Sequence, residues 1–326
     1  MPAGRDRFLV ALAALLAVAS VALVAVVLVT RPRPQTPPPA PTPIDLAGLA
    51  SYSPVASTQP DETVTLTGAG DIASCSLPDD EATAALLEDV PGWVFTAGDN
   101  AYESGTTEEF EQCYEPSWGA YRERTFPAIG NHDAVTPGRQ GHFDYFGSRA
   151  GDPRAGWYAT TLGAWRLIVL DSNCVDTGGC GPDTDQGRWL AAELEAHPSA
   201  CTLAIWHHPR FSTGYHGPTL AVAPFWDALY AAGVDLVVNG HDHDYERFAP
   251  VDPAGHPDAE RGIREIVAGT GGAALRPFEL EDPTSEERDA STHGVLRLDL
   301  HPGAYDWEFI PVPGGTFADR GSGTCH

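Results

Sequence analysis

The chain has 326 residues, with 19 basic side chains against 45 acidic ones and a formal net charge of −26 at pH 7. So much negative charge repels nucleic acids and anionic lipids, which argues against a DNA- or RNA-binding role. It also offers an anionic substrate no long-range attraction, so a site for one must be positive locally, as a pair of metal ions would be. Lysine is absent from the sequence, which excludes lysine Schiff-base chemistry and the lysine-containing phosphate loop of nucleotide triphosphatases.

An almost unbroken apolar run from Phe8 to Val29, with arginines on both sides, dominates the N-terminus. About 20 apolar residues are enough to cross a bilayer as a helix, whereas the core of a cleaved signal peptide has ~7–15. An Ala-Val-Ala cleavage site at 17–19 lies inside the run. We therefore expect residues 1–30 to form an uncleaved signal-anchor helix, with a cleaved signal peptide as the alternative.

Residues 31–62 predict a tether rather than a folded segment. Seven prolines lie between positions 31 and 43, a density that favours polyproline II and gives a semi-rigid spacer of ~3.1 Å per residue. The stretch 44–62 is small, polar and without a pattern, so it continues the tether. The folded domain is then expected to span residues 63–326.

Within that domain, predicted strands alternate with predicted helices along the chain. The strands fall at 63–69, 93–97, 126–129, 157–161, 167–171, 202–206, 234–238, 263–267, 294–300 and 305–310, and the helices at 80–87, 185–196 and 220–232. Such alternation predicts an α/β domain, and the β-rich C-terminal third indicates a second sheet. Loops at 134–148 and 176–186 are expected to determine substrate specificity.

Five short blocks of polar residues each come just after a predicted strand. They are Gly70-Asp71, Gly98-Asp99-Asn100-Ala101-Tyr102, Gly130-Asn131-His132-Asp133, Trp206-His207-His208-Pro209 and Gly240-His241-Asp242-His243. In α/β sheets, ligands bind outside the carboxyl ends of the strands, where these blocks lie. A mixed set of oxygen and imidazole donors suits iron, manganese or zinc better than calcium or copper. The glycines allow the sharp turns that aim several side chains at one point.

The five blocks predict a binuclear metal centre that cleaves phosphoesters. Two cations ~3.5–4 Å apart can polarise a phosphoryl oxygen and supply hydroxide from bound water at mild pH. One carboxylate must bridge the two ions, and Asp99 is placed to do so. Hydrolysis also develops charge on the leaving oxygen, which a nearby imidazolium can protonate.

With these blocks, the chain resembles the calcineurin-like metallophosphoesterases, and within them the purple acid phosphatases, from about residue 63 to about residue 300. The resemblance implies a four-layer α/β/β/α sandwich and two metal ions, iron paired with iron, zinc or manganese. It implies as ligands of the first metal Asp71, Asp99, Tyr102 and His243, and as ligands of the second Asp99, Asn131, His207 and His241. It further implies that His132 is the substrate-facing acid and that His216 contacts phosphate.

One position separates the purple branch from the wider superfamily. Many relatives have Gly-Asp-x-His, where the histidine binds the first metal, whereas this chain has Ala73 at that place. Tyr102 lies where the purple branch supplies the replacement ligand, and an ordinary packed tyrosine is the alternative. In the same way, His208 is the alternative to His207 as the ligand of its block.

Six cysteines occur, at positions 75, 113, 174, 180, 201 and 325, and none forms a Cys-x-x-Cys pair. An even number in an exported chain predicts three disulfides, with fifteen possible pairings, and six reduced thiols are the alternative. The turn-prone residues 176–179 favour a Cys174–Cys180 bridge. Cys75–Cys113 and Cys201–Cys325 then follow by elimination.

We therefore expect a phosphatase that acts outside the cytoplasm, secreted or held to the membrane through the N-terminal helix alone. Its nucleophile would be hydroxide on the metals, its substrate a small phosphoester, and nucleic acid is not an expected partner. A phosphodiesterase of the same fold and a metal- or phosphate-binding module without turnover are the two alternatives. The ligand set does not distinguish a phosphomonoesterase from a phosphodiesterase.

Overall fold

Two β-sheets, one of six strands and one of seven, form the framework of residues 59–326, the part of the chain that the computed structural model describes. The strands are β1 (Val64–Ala69), β2 (Ala73–Ser74), β3 (Trp93–Thr96), β4 (Ala101–Tyr102), β5 (Thr125–Pro127), β6 (Tyr158–Leu162), β7 (Trp165–Val169), β8 (Thr202–Ile205), β9 (Leu236–Asn239), β10 (Tyr245–Phe248), β11 (Arg264–Ala268), β12 (Ser285–Asp289), β13 (Gly294–His301), β14 (Ala304–Pro311) and β15 (Arg320–Thr324). The helices are α1 (Asp79–Leu86), α2 (Thr107–Glu109), α3 (Gln140–Phe146), α4 (Asp185–Ala196) and α5 (Ala223–Ala231). A π-helical segment, Phe110–Tyr114, continues α2.

Each large sheet contains a run of parallel strands whose carboxyl ends lie at one edge. The six-stranded sheet has the order β15-β14-β13-β1-β3-β5, in which β1, β3 and β5 are parallel. The seven-stranded sheet has the order β12-β10-β11-β9-β8-β7-β6, in which β7, β8, β9 and β11 are parallel. The short strands β2 and β4 form a separate parallel pair. This arrangement provides strand ends at which side chains from both sheets can meet.

Three buried clusters define the layers. The first lies between the sheets and joins residues such as Phe95 and Leu298 from one to Leu203 and Val238 from the other. The second packs α4 and α5 on the outer face of the seven-stranded sheet, and the third packs α1, α3 and Phe110–Tyr114 on the outer face of the six-stranded sheet. The predicted α/β domain with a second sheet is therefore confirmed.

Most of the predicted elements are present, within a few residues of their expected ends. The 157–161 and 167–171 segments form the antiparallel hairpin β6–β7, and the helix predicted at 185–196 matches α4. Thr184 caps that helix, because its hydroxyl accepts the backbone N–H of Gly187 at 3.1 Å, which satisfies one of the free donors of the first turn. The predicted N-terminal helix, residues 1–30, and most of the predicted tether lie outside the described residues. Within residues 59–326, no helix is long and apolar enough to cross a membrane.

The expectation of a loop over residues 134–148 is wrong in part, since α3 occupies its second half. The helix is short and contains Gly141, so its sequence carries little helical periodicity. It forms because Phe146 packs edge-on against the rings of Phe110 and Tyr114, at centroid distances of 5.8 and 5.6 Å. Tertiary packing, rather than local propensity, stabilises this helix.

All six cysteines form disulfides, and the pairing agrees with the prediction. The bridges are Cys75–Cys113, Cys174–Cys180 and Cys201–Cys325. The last of these joins the residue just before β8 to the residue just after β15, across a sequence separation of 124. The alternative of six reduced thiols is therefore excluded in this structure.

Candidate metal centre

Five of the predicted site residues follow the ends of parallel strands. Asp71, Asp99 and Asn131 come after β1, β3 and β5 of one sheet, and His207 and His241 come after β8 and β9 of the other. The backbones of the two sheets are joined here, since the N–H of Gly70 donates to the carbonyl oxygen of Ala268 at 2.8 Å. The two sheets thus present their polar strand ends to one common region.

The backbone around these residues is held in left-handed conformations. Asp71, Asp99 and His241 have φ values of 59°, 50° and 72°, and they make up three of the four non-glycine residues with positive φ in residues 59–326. Gly98 has a φ of 85°, and a Cβ atom there would lie 2.6 Å from Nδ1 of His207. Such conformations cost free energy and concentrate at functional sites, where the surrounding structure enforces them.

Asp99 lies at the centre of the cluster. Its Oδ2 atom is 3.2 Å from the hydroxyl oxygen of Tyr102 and 3.3 Å from Nε2 of His207. Its Oδ1 atom accepts the backbone N–H of His132 at 2.8 Å. One carboxylate oxygen therefore stands between the two groups of residues that the sequence assigns to separate metals.

The first group consists of Asp71, Tyr102 and His243. The hydroxyl of Tyr102 donates to Oδ1 of Asp71 at 2.9 Å, and Nε2 of His243 lies 3.4 Å from the same oxygen. Nδ1 of His243 donates to the carbonyl oxygen of Ala274 at 2.8 Å. Since that bond fixes the proton on Nδ1, the lone pair of Nε2 is directed at Asp71 and Tyr102.

The second group consists of Asn131, His207 and His241. Nδ1 of His207 donates to the carbonyl oxygen of Ala97 at 2.8 Å, and its Nε2 lies 3.1 Å from Oδ1 of Asn131. The imidazole of His241 packs edge-on against that of His207, with ring centroids 5.0 Å apart. The backbone N–H of His241 donates to Oδ2 of Asp71 at 2.7 Å, which links the two groups.

The donor atoms are close enough together to hold a metal ion. One ligand atom from each of Asp71, Asp99 and His207 lies within 4.8 Å of the others, and all three residues are buried. Carboxylate oxygens and imidazole nitrogens are donors that iron, zinc and manganese accept. The Nδ1 bonds of His207 and His243 to carbonyl oxygens are the outer contacts typical of metal-binding histidines.

Comparison with known proteins agrees with this geometry. The sequence model of the calcineurin-like phosphoesterase family matches residues 69–245, which is more than half of the chain. The chain belongs to the calcineurin-like phosphoesterase family.

Purple acid phosphatases and a protein of uncharacterized function are among the proteins similar to this chain. Purple acid phosphatase 21 of Arabidopsis thaliana is 33% identical over 138 residues, which cover 37% of this chain and 30% of the relative. An uncharacterized protein of Mycobacterium tuberculosis is 30% identical over 259 residues, covering 58% of this chain and 47% of the relative. The chain thus spans less than half the length of these relatives. Among solved structures, the purple acid phosphatase PPD1 of yellow lupin superposes with a TM-score of 0.66 at 18% identity, covering 80% of this chain and 54% of that one, so the two share a fold.

Two of the predicted ligands of this calcineurin-like domain lie where the electrostatics favour positive charge. Burial by itself lowers the pKa of His207, but the charges of Asp99 and Asp71 outweigh burial and raise the pKa to about 9. Burial likewise opposes the charge of Asp71 at His243, and the pKa of that histidine is again raised. The carboxylates therefore stabilise positive charge at these two histidines, whereas burial and the charges of His207, His208 and His216 lower the pKa of His241.

The choice between His207 and His208 follows from what each imidazole contacts. His207 faces the carboxylate of Asp99, whereas Nδ1 of His208 lies 2.8 Å from the hydroxyl oxygen of Ser172. Burial and the charge of His207 lower the pKa of His208 to about 3. Its ring packs against that of His241 at a centroid distance of 4.4 Å. The geometry favours His207 as the ligand, whereas His208 packs against the neighbouring ring of His241.

A cavity of about 150 Å³ opens beside the first group, with room for several water-sized groups. Its lining residues are Ser74, Ser76, Leu77, Tyr102, Glu103, His132, His243, Ala273, Ala274 and Arg276. His132 is partly exposed there, and its ring packs on Tyr102 with centroids 4.5 Å apart. Its Nδ1 donates to the carbonyl oxygen of Glu103 at 2.7 Å, and its Nε2 lies 3.9 Å from Oδ2 of Asp99. The predicted substrate-facing acid therefore faces the cavity.

His216 reaches the same region, but its side-chain nitrogen is already engaged. The ring stacks on that of His241, with centroids 4.3 Å apart. Its backbone N–H donates to Oδ1 of Asp242 at 2.6 Å. Its Nε2 accepts a hydrogen bond from the guanidinium of Arg276 at 2.9 Å. The structure brings His216 close to the predicted ligands, with its Nε2 bound to the guanidinium of Arg276.

Two residues of this site were given no role in the sequence analysis, although Asp133 belongs to one of its five blocks. Asp133 is fully buried and accepts the backbone N–H groups of Gly130 at 2.9 Å and Asn100 at 3.0 Å, which fixes two ligand-bearing loops to each other. Burial and the charge of Asp99 raise the pKa of Asp133 to about 6. Arg276 lies in the loop after β11, which is one more parallel strand ending at this edge. Its place after a predicted strand was the one feature of the sequence that could have indicated that Arg276 lies near the site.

Proposed function

We propose that this protein is a binuclear metal-dependent phosphoester hydrolase of the purple acid phosphatase kind, with phosphomonoesters as substrates. The observation that carries the proposal is the position of Asp99, whose Oδ2 lies 3.2 Å from Tyr102 and 3.3 Å from His207. Those two residues belong to different ligand groups, so a single carboxylate can serve both metals. Membership of the phosphoesterase family supports the same conclusion.

In this proposal, the first metal is held by Asp71, Asp99, Tyr102 and His243, and the second by Asp99, Asn131, His207 and His241. The pair would be iron together with iron, zinc or manganese, because the donors are oxygens and imidazole nitrogens. When bound, the two ions would supply Lewis acidity and a bound water of lowered pKa.

The chain's own residues have separate tasks. Asn131 and His207 are pre-oriented by their mutual contact at 3.1 Å, and Asp133 fixes the loop of Asn131 to the loop of Asp99. His132 presents Nε2 to the cavity while its Nδ1 proton is committed to the carbonyl oxygen of Glu103. In its protonated form, His132 can therefore release the Nε2 proton to the departing alkoxide or phenoxide oxygen.

We propose that the enzyme works outside the cytoplasm. Three disulfides support this placement, because such bonds persist in oxidising compartments and are rare in the cytosol. The predicted signal-anchor helix at residues 1–30 would deliver the domain there and remains a proposal.

The test is a hydrolysis screen of the purified full-length chain. Each of iron, zinc and manganese is supplied in turn, and matched pairs of monoester and diester substrates share one leaving group. We expect faster turnover of monoesters, loss of activity after chelation, and recovery when metal is returned. Faster diester turnover would establish the phosphodiesterase alternative. Two bound metals without any turnover would indicate a binding module.

A further inference from the structure

Arg276 is the basic side chain that lines the cavity beside the metal centre. Its guanidinium lies over the ring of Tyr215, with Cζ 4.9 Å from the centroid, and donates to Nε2 of His216. In residues 59–326, no carboxylate lies within ion-pairing distance of it, although the chain carries 45 acidic side chains. The charge of Arg276 therefore remains available to an anion in the cavity.

The backbone that carries Arg276 is fixed to the metal centre itself. The N–H of Arg276 donates to the carbonyl oxygen of His243 at 3.0 Å, and the N–H of Ala273 donates to that of Asp71 at 2.9 Å. The carbonyl oxygen of Ala274 accepts Nδ1 of His243 at 2.8 Å. Three bonds thus attach this loop to two predicted ligands, so the position of Arg276 relative to the metals is set by the fold.

We propose that Arg276 binds the phosphoryl group of the substrate and makes the site selective for phosphomonoesters over phosphodiesters. This inference rests on the proposed function. Arg276 would be a direct contact of the substrate, and His216 a positioning residue that orients its guanidinium through Nε2.

The selectivity follows from the charge of the phosphoryl group and from the number of its free oxygens. A phosphomonoester carries close to two negative charges at neutral pH, since its second pKa is about 6, whereas a diester carries one. The planar guanidinium can donate two parallel hydrogen bonds to two phosphoryl oxygens. A monoester offers three non-bridging oxygens and a diester two. Both differences favour the monoester.

The negative charge of the whole protein makes a positive side chain at the cavity more important for binding an anion. With a net charge of −26, the chain repels a phosphate dianion at long range. The exposed carboxylate of Glu103 also lines the cavity. A fixed cation at the cavity wall offsets that repulsion at the point where the substrate binds.

The experiment uses the metal-loaded full-length chain and compares Arg276→Met and Arg276→Lys with the parent. Inorganic phosphate affinity is measured by titration calorimetry, and kcat/KM is measured for a monoester and a diester with the same leaving group. Charge-assisted hydrogen bonds of this kind predict a loss of phosphate affinity of about tenfold or more in Arg276→Met. We expect a similar fall in kcat/KM for the monoester and a much smaller one for the diester. The phosphate affinity and monoester kcat/KM of Arg276→Lys should lie between those of the parent and Arg276→Met. Lysine keeps the positive charge but cannot make two parallel hydrogen bonds.

Arg261→Met is the matched control. Its guanidinium also lies over a tyrosine ring, 5.0 Å from the centroid of Tyr230, but it lies in the loop that precedes β11, at the opposite end of that strand from Arg276. We expect phosphate affinity and both kinetic constants of this variant to equal those of the parent.

Three results would overturn the proposal. In the first, Arg276→Met keeps its metal content and the parent's phosphate affinity and monoester-to-diester ratio. In the second, it loses metal and both activities equally, which would make Arg276 a structural support. In the third, Arg276→Met keeps its metal content and weakens phosphate binding but lowers kcat/KM for the monoester and the diester by the same factor, so that Arg276 confers no selectivity. An inactive parent that still binds phosphate through Arg276 would contradict the proposed function instead.

Discussion

The hydroxyl of Tyr102 donates a hydrogen bond to the carboxylate of Asp71, across 2.9 Å. Burial and the charges of Asp71 and Asp99 raise the pKa of Tyr102 well above its usual range. Next to these two carboxylates and without a cation, Tyr102 is therefore a neutral phenol. A highly charged cation at the same place reverses this preference, because it stabilises the phenolate that the carboxylates oppose.

This relationship leads to a prediction about colour. Phenolate is a hard, anionic oxygen donor that favours ferric iron over divalent zinc or manganese. We expect the iron-loaded protein to absorb visible light through charge transfer from Tyr102 to iron, and Tyr102→Phe to lose that band while the fold remains. Visible absorption and circular dichroism of the two proteins, at equal iron content, measure both effects.

Tyr158→Phe is the control for Tyr102→Phe, since Tyr158 is buried and its hydroxyl makes one hydrogen bond, to the carbonyl oxygen of Pro127 at 3.0 Å. This variant should keep the colour. A colourless parent that holds stoichiometric ferric iron would show that Tyr102 is only a packed tyrosine. The broader phosphoesterase assignment would survive, because it rests on the carboxylates and histidines.

The bridging position gives the second prediction. Asp99→Asn replaces a shared carboxylate by a neutral amide, which is a poor bridge between two cations. We expect activity to fall below detection and at least one of the two metal equivalents to be lost, as measured by elemental analysis of dialysed protein. The exposed carboxylate of Asp144 serves as a control, and Asp144→Asn should retain both metals. Normal metal content and turnover in Asp99→Asn would refute the binuclear assignment.

The third prediction separates proton donation from metal binding. His132→Ala should keep both metals, because the backbone N–H of His132 still donates to Asp99. Its rate should fall by about 10²–10⁴-fold for alkyl phosphates, whose leaving groups need a proton, and by less for nitrophenyl phosphate. The dependence of log kcat on leaving-group pKa is the measurement.

His256→Ala is the corresponding control, since His256 is exposed and its imidazole contacts Asp252. It should match the parent for every substrate. If His132→Ala slowed alkyl and nitrophenyl phosphates by the same factor, His132 would act by positioning rather than as an acid.

The metal centre was predictable from the sequence because each of its blocks follows a strand that is readable locally. β8 and β9, for example, are fully buried runs bounded by polar residues. Parallel strands bring such blocks together whatever the rest of the chain does. Arg276 was not predictable in this way, since its role depends on contacts with Tyr215 and His216, which lie some sixty positions away in the sequence.

Three of the unpredicted strands owe their stability to contacts elsewhere in the molecule. β10 is fully buried yet carries Arg247, whose guanidinium is paired with Asp319 at 2.6 Å. β12 is an edge strand of five polar residues, none of which is buried. β15 is glycine-rich and is held at the edge of its sheet by the bridge to Cys201. Because these three strands contain charged residues, polar residues or glycines, none of them shows the alternating hydrophobicity that would have predicted a strand.

The disulfides give the fourth prediction. Loop-closure entropy grows with the length of chain enclosed, so removing Cys201–Cys325, with a separation of 124, should cost more than removing Cys174–Cys180, with a separation of 6. The chain-entropy relation gives about 5 and about 2 kcal/mol, respectively. Denaturant unfolding of the Cys201→Ala/Cys325→Ala and Cys174→Ala/Cys180→Ala variants measures the difference. Equal losses would mean that local packing, rather than chain entropy, sets the contribution of these bonds.

The last prediction concerns the pH dependence of stability. Asp80, in the first turn of α1, is buried, and burial raises its pKa to about 7 from 3.8 even though Ser117 donates a hydrogen bond to it. Between these two values the folded chain keeps a proton that the unfolded chain releases. The free energy of unfolding contributed by Asp80 is thus fully present below about pH 4 and is lost as the pH rises to about 7, by at most ~1.4 kcal/mol per pH unit.

Asp80→Asn replaces this carboxyl group by an amide that does not titrate. We expect the free energy of unfolding of Asp80→Asn to fall less steeply than that of the parent between pH 5 and 7, as measured by urea unfolding at half-unit steps. Asp89→Asn, which removes an exposed carboxylate just beyond the same helix, should keep the slope of the parent. Because the parent and Asp80→Asn share every other titrating group, the difference in their slopes reports Asp80 and its interaction with Glu81. Parallel curves for Asp80→Asn and the parent would show that Asp80 is ionised in the folded state throughout this range.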